Sequence, residues 1–365
     1  MTQIVELQVR RNRLDDVRVA SHAAPALADG QVLFAVDKFA LTANNITYGV
    51  VGDMLGYWKF FPADGDYGKI PVWGFGVVIE SRCAGINTGE RFYGYFPMAS
   101  HVVMQPGKIR SAGFEDVAAN RAGLAAVYNR YANTANDPPA LAAMDDARAI
   151  YFPLFSTSFV IYDYLMDNDW FGADQVVIAS ASSKTAFGLA HLLFHHDGRR
   201  PRVIGLTSPG NRAFVEKLGC YDAVVTYDDL EVKTEIMPSA LVDMAGNRTL
   251  ISRLHHHLGD GVKLSCGVGA THWSAPGGLG TGSVDNLPGA RPQMFFAPSQ
   301  FAKRDADWGP GEALRRAGQA SARIAHAIAP LMTISHGKGA EAVRSAYLQT
   351  LSGRTRPEQA LMLSF

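Results

Sequence analysis

From Asp174 onward, apolar runs of strand length alternate with segments of helical pattern, and this alternation narrows the possible folds more than any other property of the chain. "DQVVIAS" leads into an apolar helix reaching His195. "RVIGLTS" is followed by a helix over residues 211–218, and "AVVTY", "SALVDMA", a helix over residues 249–258 and "VKLSCGVG" complete the series. Helices of this length between consecutive strands return each strand in the same direction through right-handed β-α-β units, so an α/β core built on a doubly wound parallel sheet is expected. Residues 4–105 read differently. Short β-type runs ("QVLFAVDKFAL", "VWGFGVVIES", "GERFYGYFPM", "HVVMQ") are divided by Gly, Pro, Asn and Asp, the pattern of a compact antiparallel barrel.

Residues 117–144 are expected to be a helical linking region, and residues 271–293, rich in Gly and Pro, a long loop. Beyond them come "MFFAPSQ", a helix over residues 311–328, a strand "PLMTI", a helix over residues 340–351 stopped by Ser352-Gly353, and a last strand "ALMLSF". A chain of 365 residues exceeds what one core accommodates. The expected division is residues 1–140 with 325–365, and residues 141–324.

Hydrophobic residues make up 47% of the chain and charged residues 19%, with a formal net charge of zero. That composition is globular and carries no electrostatic footprint for nucleic acid or an anionic membrane. The opening "MTQIVELQVRRNRLDD" interrupts its apolar residues with charge too often for a signal peptide, and no run approaches the roughly 18 apolar residues of a membrane span. A cytoplasmic protein is expected. Cys83, Cys220 and Cys266 are odd in number, far apart and without a C-x-x-C pair, which argues against a disulfide framework or a cysteine zinc site.

The first turn of the parallel-sheet region, "SASSKTA", stands where a dinucleotide fingerprint would carry G-x-G-x-x-G. A strand delivering the chain to a helix N-terminus makes an anion site from unpaired N–H groups and the helix dipole. Ser182, Ser183 and Thr185 are small and add hydroxyls, and Lys184 adds a full charge. The other reading is a polar turn whose serine only caps the helix, and both stand on the turn alone. The next strand ends in Thr207 and Ser208, with Arg212 a turn later and no carboxylate before Glu216. An acid here would bind a ribose 2′-hydroxyl, whereas hydroxyls and an arginine suit a 2′-phosphate. The two turns together favour NADPH.

The order of these elements is similar to that of the medium-chain dehydrogenase/reductase superfamily, in its zinc-free quinone oxidoreductase and enoyl reductase branch. "FALTANNITYGVVGD" resembles the family's segment before the substrate pocket, and "INTGERFYGY" its K-x-G-D-x-V. "VIGLTSPGNRAFVEKLGCYDAVVTYDD" resembles its second β-α-β stretch, "ALVDMAGN" its D-x-x-G, and "ISHGKGAEAVRSAYLQTLSG" its closing helix. The resemblance spans nearly the whole chain and implies a GroES-like barrel domain beside a Rossmann domain. It implies cofactor contacts at Ser182, Ser183, Lys184, Thr207, Ser208, Arg212 and Tyr227, with Gly267 and Gly269 on the nicotinamide side. Where the family's phosphate loop is glycine-rich, this chain has Ser, Lys and Ala, which suggests a divergent branch.

Zinc-dependent members place a cysteine where this chain has Asn44 or Asn45, so no metal is expected. His191, His195 and His196, and His255, His256 and His257, are expected as solvated helix ends, since no H-E-x-x-H is present. G-x-S-x-G is absent, and no tyrosine is followed four residues later by lysine. The chemistry left is hydride delivery to an activated C=C or a quinone (an enone, enoyl thioester or quinone substrate), with a donor for the developing oxyanion. Asn44, Asn45, Tyr48 and Tyr57 are the donor candidates, and Tyr48 reads equally well as a packed aromatic. The alternative is a dinucleotide-binding protein without catalytic activity, in a structural or redox-sensing role. Family members commonly pair through an edge strand, which makes "QMFFAPS" (residues 293–299) the candidate for a homodimer contact.

Overall fold

The structure, a computed structural model, describes residues 2–268 and 287–365. It divides into two compact units: Met1–Ile150 with Thr333–Phe365, and Tyr151–Met332.

The first unit is built on mostly antiparallel sheets. A three-stranded sheet runs in the order Arg13–Ala23, Gln3–Arg10, Tyr67–Gly68. A larger sheet runs Thr333–Lys338, Gln359–Ser364, Val32–Leu41, Pro71–Ser81, Arg91–Pro97, Arg130–Asn133, Gly113–Asp116, Pro106–Arg110, with His101–Met104 also pairing Val32–Leu41. The chain's end thus joins this unit: the helix Ala340–Leu351 links two parallel strands, and the last strand pairs antiparallel with Val32–Leu41 through Leu363 and Phe39. Aromatic rings fill the interior, with Phe34 edge-on to Phe92 and Phe96, and Phe114 stacked on Tyr131. Two glycines make room for them. A Cβ at Gly94 would lie 2.4 Å from the Tyr131 ring, and one at Gly76 would lie 2.8 Å from Phe96.

The region 117–144 is not helical. It holds short 3-10 turns at Ala119–Arg121 and Ala126–Asn129, the strand Arg130–Asn133 and a single helical turn at Pro139–Ala142. Pairing of Ala132 with Tyr93 and of Tyr131 with Phe114 overrides the helical propensity of its alanines. The long helix instead spans Asp145–Asp167, opened by two aspartates that suit the dipole. It is long and apolar enough to cross a membrane by length and composition. Its apolar positions are spent on packing: Ile150, Phe155, Val160, Ile161 and Leu165 are fully buried.

The second unit is a six-stranded parallel sheet in the order Ala223–Thr226, Arg202–Thr207, Gln175–Ala179, Ser239–Asp243, Val262–Gly267, Pro292–Met294. Numbered by sequence, this order is 3-2-1-4-5-6, the doubly wound arrangement. The winding reverses between Gln175–Ala179 and Ser239–Asp243, and ligands of such sheets bind at the carboxyl ends of the strands beside that reversal. One face packs Val177, Leu206 and Leu241 against Leu250, Leu254 and Leu258 of the helix Arg248–Leu258. The strand expected within residues 293–299 is shorter and starts earlier, at Pro292–Met294, because Pro298 sits in the first turn of the helix Ala297–Trp308. It is the sheet's edge strand.

Candidate functional site

The strand Gln175–Ala179, wholly buried, ends at Ser180 in a left-handed conformation, φ 57°. A non-glycine residue holds that setting only where its surroundings enforce it. The Ser183 N–H donates to the Ser180 carbonyl at 2.8 Å, and the Ala181 N–H donates to the Leu206 carbonyl at 2.9 Å. The Tyr221 hydroxyl donates to the Ala181 carbonyl at 2.8 Å. Gly205 permits this closeness, since a Cβ there would lie 2.8 Å from the Tyr221 ring and 3.1 Å from Ala181 Cβ. Ser183 then caps the helix Lys184–Phe194, its Oγ accepting the Ala186 N–H at 3.3 Å. The result is a strand-to-helix turn at the carboxyl edge of the first parallel strand, with Ser182, Ser183, Lys184 and Thr185 half-buried around it.

Beside it stands the end of the next strand. Thr207 is 1% exposed, and its hydroxyl has no hydrogen-bond partner among the described residues. Asn211 Nδ2 donates to Ser182 Oγ at 3.1 Å and ties the two turns together. The Tyr227 hydroxyl lies 3.4 Å from Ser180 Oγ, and burial raises that phenol. Arg212 is 43% exposed, and its Nε donates to Glu216 at 2.7 Å. The structure therefore brings Ser182 and Tyr227 into one cluster with two residues that sequence reasoning missed, Ser180 and Asn211. Asn211 had a signal, its place in the Pro-Gly-Asn turn after the strand. Ser180 had none, because a left-handed serine is not legible in sequence.

Two strands further on, Asp243 spends its carboxylate on the Ala245 and Asn247 N–H groups at 2.9 and 3.0 Å, and Gly246 closes the turn at φ 73°. Gly267 pairs with Asp243, and its carbonyl accepts the Phe295 N–H at 2.8 Å. Among the described residues, a Cβ there would meet nothing closer than the Gln293 carbonyl at 3.8 Å. Gly269, also expected at the cofactor, and the glycines at 277–282 lie outside the described residues.

In the first unit the helix Ala43–Val50 presents the expected donors. Asn45 is not available as one. Its Oδ1 accepts the Thr42 N–H at 2.8 Å and its Nδ2 donates to the Pro71 carbonyl at 2.8 Å, so the buried amide fastens the helix start to the strand Pro71–Ser81. Asn44, half-buried, lies at the Tyr48 hydroxyl. Tyr48 is 5% exposed, and burial raises its phenol against the opposing effect of Trp73 and Asn44. Its ring centroid is 4.5 Å from that of Tyr57, whose hydroxyl shares a 3.0 Å hydrogen bond with Tyr128. Tyr95 packs against Tyr128 at 4.8 Å and against Trp73 at 5.2 Å. The predicted pair thus belongs to a ring cluster that also includes Tyr95, Tyr128 and Trp73, which the sequence left in separate strands and turns.

The histidine-rich helix ends are less solvated than expected: His191, His196 and His257 are half-buried, His196 bonded to the Tyr162 hydroxyl at 2.6 Å and His257 to the Thr234 carbonyl at 2.8 Å. His255 is fully buried, with Nδ1 at 2.8 Å from the Pro288 carbonyl and Nε2 at 2.9 Å from Ser265 Oγ, so it is a satisfied core residue. No group of three or more His, Cys, Asp or Glu placed to hold a metal ion occurs among the described residues.

Solved structures share this fold along the whole chain. CurA from Vibrio vulnificus in complex with NADPH superposes with a TM-score of 0.59 at 13% identity, covering 100% of this chain and 99% of that one. The yhdH oxidoreductase from Salmonella enterica in complex with NADP gives 0.51 at 12% identity, covering 100% of both chains. A mutant form of enoyl thioester reductase from Candida tropicalis gives 0.55 at 11% identity, again covering 100% of both. The architecture is that of the medium-chain dehydrogenase/reductase fold, a GroES-like domain and a Rossmann domain. No curated protein sequence matches the chain significantly. Residues 39–356 match one family over most of the chain, and the protein belongs to that family, described as Protein of unknown function (DUF2855).

Proposed function

We propose that the protein is an NADPH-dependent, zinc-independent reductase that transfers hydride to an activated C=C or a quinone. The observation that carries this reading is the pair of polar turns at the carboxyl edge of the parallel sheet, joined by the Asn211–Ser182 bond beside the unpartnered Thr207 hydroxyl. The first turn of the helix Lys184–Phe194 and the Ser182, Lys184 and Thr185 side chains suit a pyrophosphate. Thr207, Ser208 and Arg212 suit a 2′-phosphate, which would compete with Glu216 for the Arg212 guanidinium. Three structures of the same fold support the reading, two of them in complex with NADPH or NADP and the third an enoyl thioester reductase.

Reduced nicotinamide, when bound, supplies hydride to a carbon conjugated with a carbonyl. The chain's part is to hold the substrate and to stabilise the oxygen on which charge develops. Tyr48 fits that role: its phenol is protonated at neutral pH, and Asn44 lies at the hydroxyl. Zinc independence rests on asparagine at positions 44 and 45, where a zinc-dependent site needs a cysteine ligand.

Calorimetric titration with NADPH and then NADH tests the assignment. NADPH is expected to bind with micromolar affinity and NADH much more weakly. Lys184→Ala and Arg212→Ala should each weaken NADPH by about tenfold, the worth of one charge-assisted bond. Unchanged NADPH affinity in both variants would sink the site. Binding without cofactor oxidation across a panel of enones, quinones and an enoyl thioester would instead favour a non-catalytic dinucleotide-binding protein.

A further inference from the structure

Residues 180–185, Ser-Ala-Ser-Ser-Lys-Thr, contain no glycine, so donors for an anion must come from side chains as well as from the helix start. A hydroxyl carries one proton and two lone pairs, and what it offers a ligand depends on which of these its neighbours already use. Ser183 Oγ accepts the Ala186 N–H at 3.3 Å, which occupies a lone pair and leaves the proton. Ser182 Oγ accepts in the same way, at 3.1 Å, from Asn211 Nδ2. Asn211 therefore sets the polarity of this hydroxyl: the Ser182 proton is not used on Asn211 and remains to be donated.

Both ends of that bond are held in place. The Asn211 N–H donates to the Ser208 carbonyl at 3.0 Å, closing the turn Pro209–Asn211 before the helix Arg212–Lys217. The strands beneath pair Ala179 with Leu206, and the Ala181 N–H reaches the Leu206 carbonyl. Asn211 thus stands in the corner of Thr207, Ser208 and Arg212 while its side chain reaches the first turn. The acids around Arg212 are each matched by a cation, Glu216 by Arg212 itself and Asp229 by Lys233, both at 2.7 Å. An aspartate at position 211 would have the same size and be as acceptable before a helix. It would reverse both properties of the amide. A carboxylate only accepts, so it takes up the Ser182 proton, and it adds a negative charge where the two turns meet. An acid in such a loop suits a ribose 2′-hydroxyl, not a 2′-phosphate.

We propose that Asn211 is a positioning and specificity-determining residue: by donating to Ser182 it reserves the Ser182 proton for a cofactor phosphate, and as an uncharged amide it admits a 2′-phosphate that an aspartate would reject. The inference rests on the dinucleotide site proposed above and is separable from hydride transfer. Its test is calorimetry on the full chain with 2′-phospho-ADP-ribose and ADP-ribose, which carry the phosphates of NADPH and NADH without the nicotinamide.

Asn211→Asp is expected to weaken 2′-phospho-ADP-ribose at least tenfold more than ADP-ribose, with the melting temperature unchanged because the carboxylate still meets Ser182. Ser182→Ala should weaken both ligands by about tenfold, the effect of losing one hydrogen bond to a charged group. Asn211→Ala should weaken both by about threefold, and should add nothing in the Ser182→Ala background, since it acts through that hydroxyl. Equal losses of the two ligands in Asn211→Asp, as a merely structural role would give, overturn the inference. So do additive losses in the double variant, which decides the matter if Asn211→Asp does not fold. Either result with 2′-phospho-ADP-ribose binding intact in the wild type removes this inference alone. The expected variant pattern without NADPH oxidation by any acceptor removes the reductase reading alone, and a wild type that binds neither ligand removes both.

Discussion

Single residues show how context sets the value of a side chain. Arg121 and Asp116 form a 2.9 Å ion pair with both side chains 2% exposed, and Arg121 also donates to the Tyr131 hydroxyl at 3.1 Å and the Tyr128 carbonyl at 3.3 Å. Burial pushes the Asp116 carboxyl up, opposed by Arg121. Replacing only the arginine would leave a buried, unpaired acid, the costly way to break such a pair. Arg121→Leu is therefore expected to destabilise the fold by about 3–5 kcal/mol, measured by chemical denaturation. A loss below about 1 kcal/mol would show that Asp116 reaches water. Nothing in the sequence around Arg121 signals this role, since Asp116, Tyr128 and Tyr131 meet it only after the strands Gly113–Asp116 and Arg130–Asn133 pair.

At the scale of elements, the helix Lys184–Phe194 carries both the turn proposed for phosphate and a pH-sensitive site. His191 is pushed down to about 4 by burial first, then by His195 and Arg323. The His195 ring lies 4.3 Å from it. The unfolded chain takes up this proton near pH 6.5 and the folded one only near pH 4. Stability is therefore fully present above pH 6.5 and lost as pH falls from 6.5 towards 4. His191→Gln should flatten that part of the profile, and thermal denaturation at pH 4.5 and 7 measures it. A wild-type difference no larger than the variant's would contradict the assignment. The alternation read from the sequence places this helix and its strand closely, at Lys184–Phe194 and Gln175–Ala179. The stretch 117–144 reads as helix in sequence and folds otherwise, because cross-strand pairing outweighs alanine propensity there.

For the whole molecule, the parallel sheet leaves the strand Pro292–Met294 at its edge, with Met294 49% exposed. An exposed edge offers unpaired backbone groups to a second copy. We predict a homodimer formed through it, read by light scattering as twice the chain mass across concentrations, and reduced to a monomer by Met294→Pro, which removes an outward-facing edge N–H and leaves the bonds to Val262–Gly267 in place. A monomeric mass at every concentration would contradict the pairing. The two units contribute unlike chemistry, a polar strand-to-helix turn in one and an aromatic cluster in the other.

The sequence by itself determined the class of each unit, because strand and helix periods and the Gly and Pro breaks are local properties that neighbouring residues settle. It also marked the polar turn at 180–186 and the Thr207–Arg212 corner, where residue type and spacing suffice. Only the tertiary structure decided that Asn45 is spent on a helix start, that His255 is buried and that Asn211 holds Ser182. The same is true of Trp73 standing opposite Tyr95 across the paired strands. Burial and hydrogen-bond partnership are properties of pairs distant in sequence, and they exist only once the sheets have brought those pairs together.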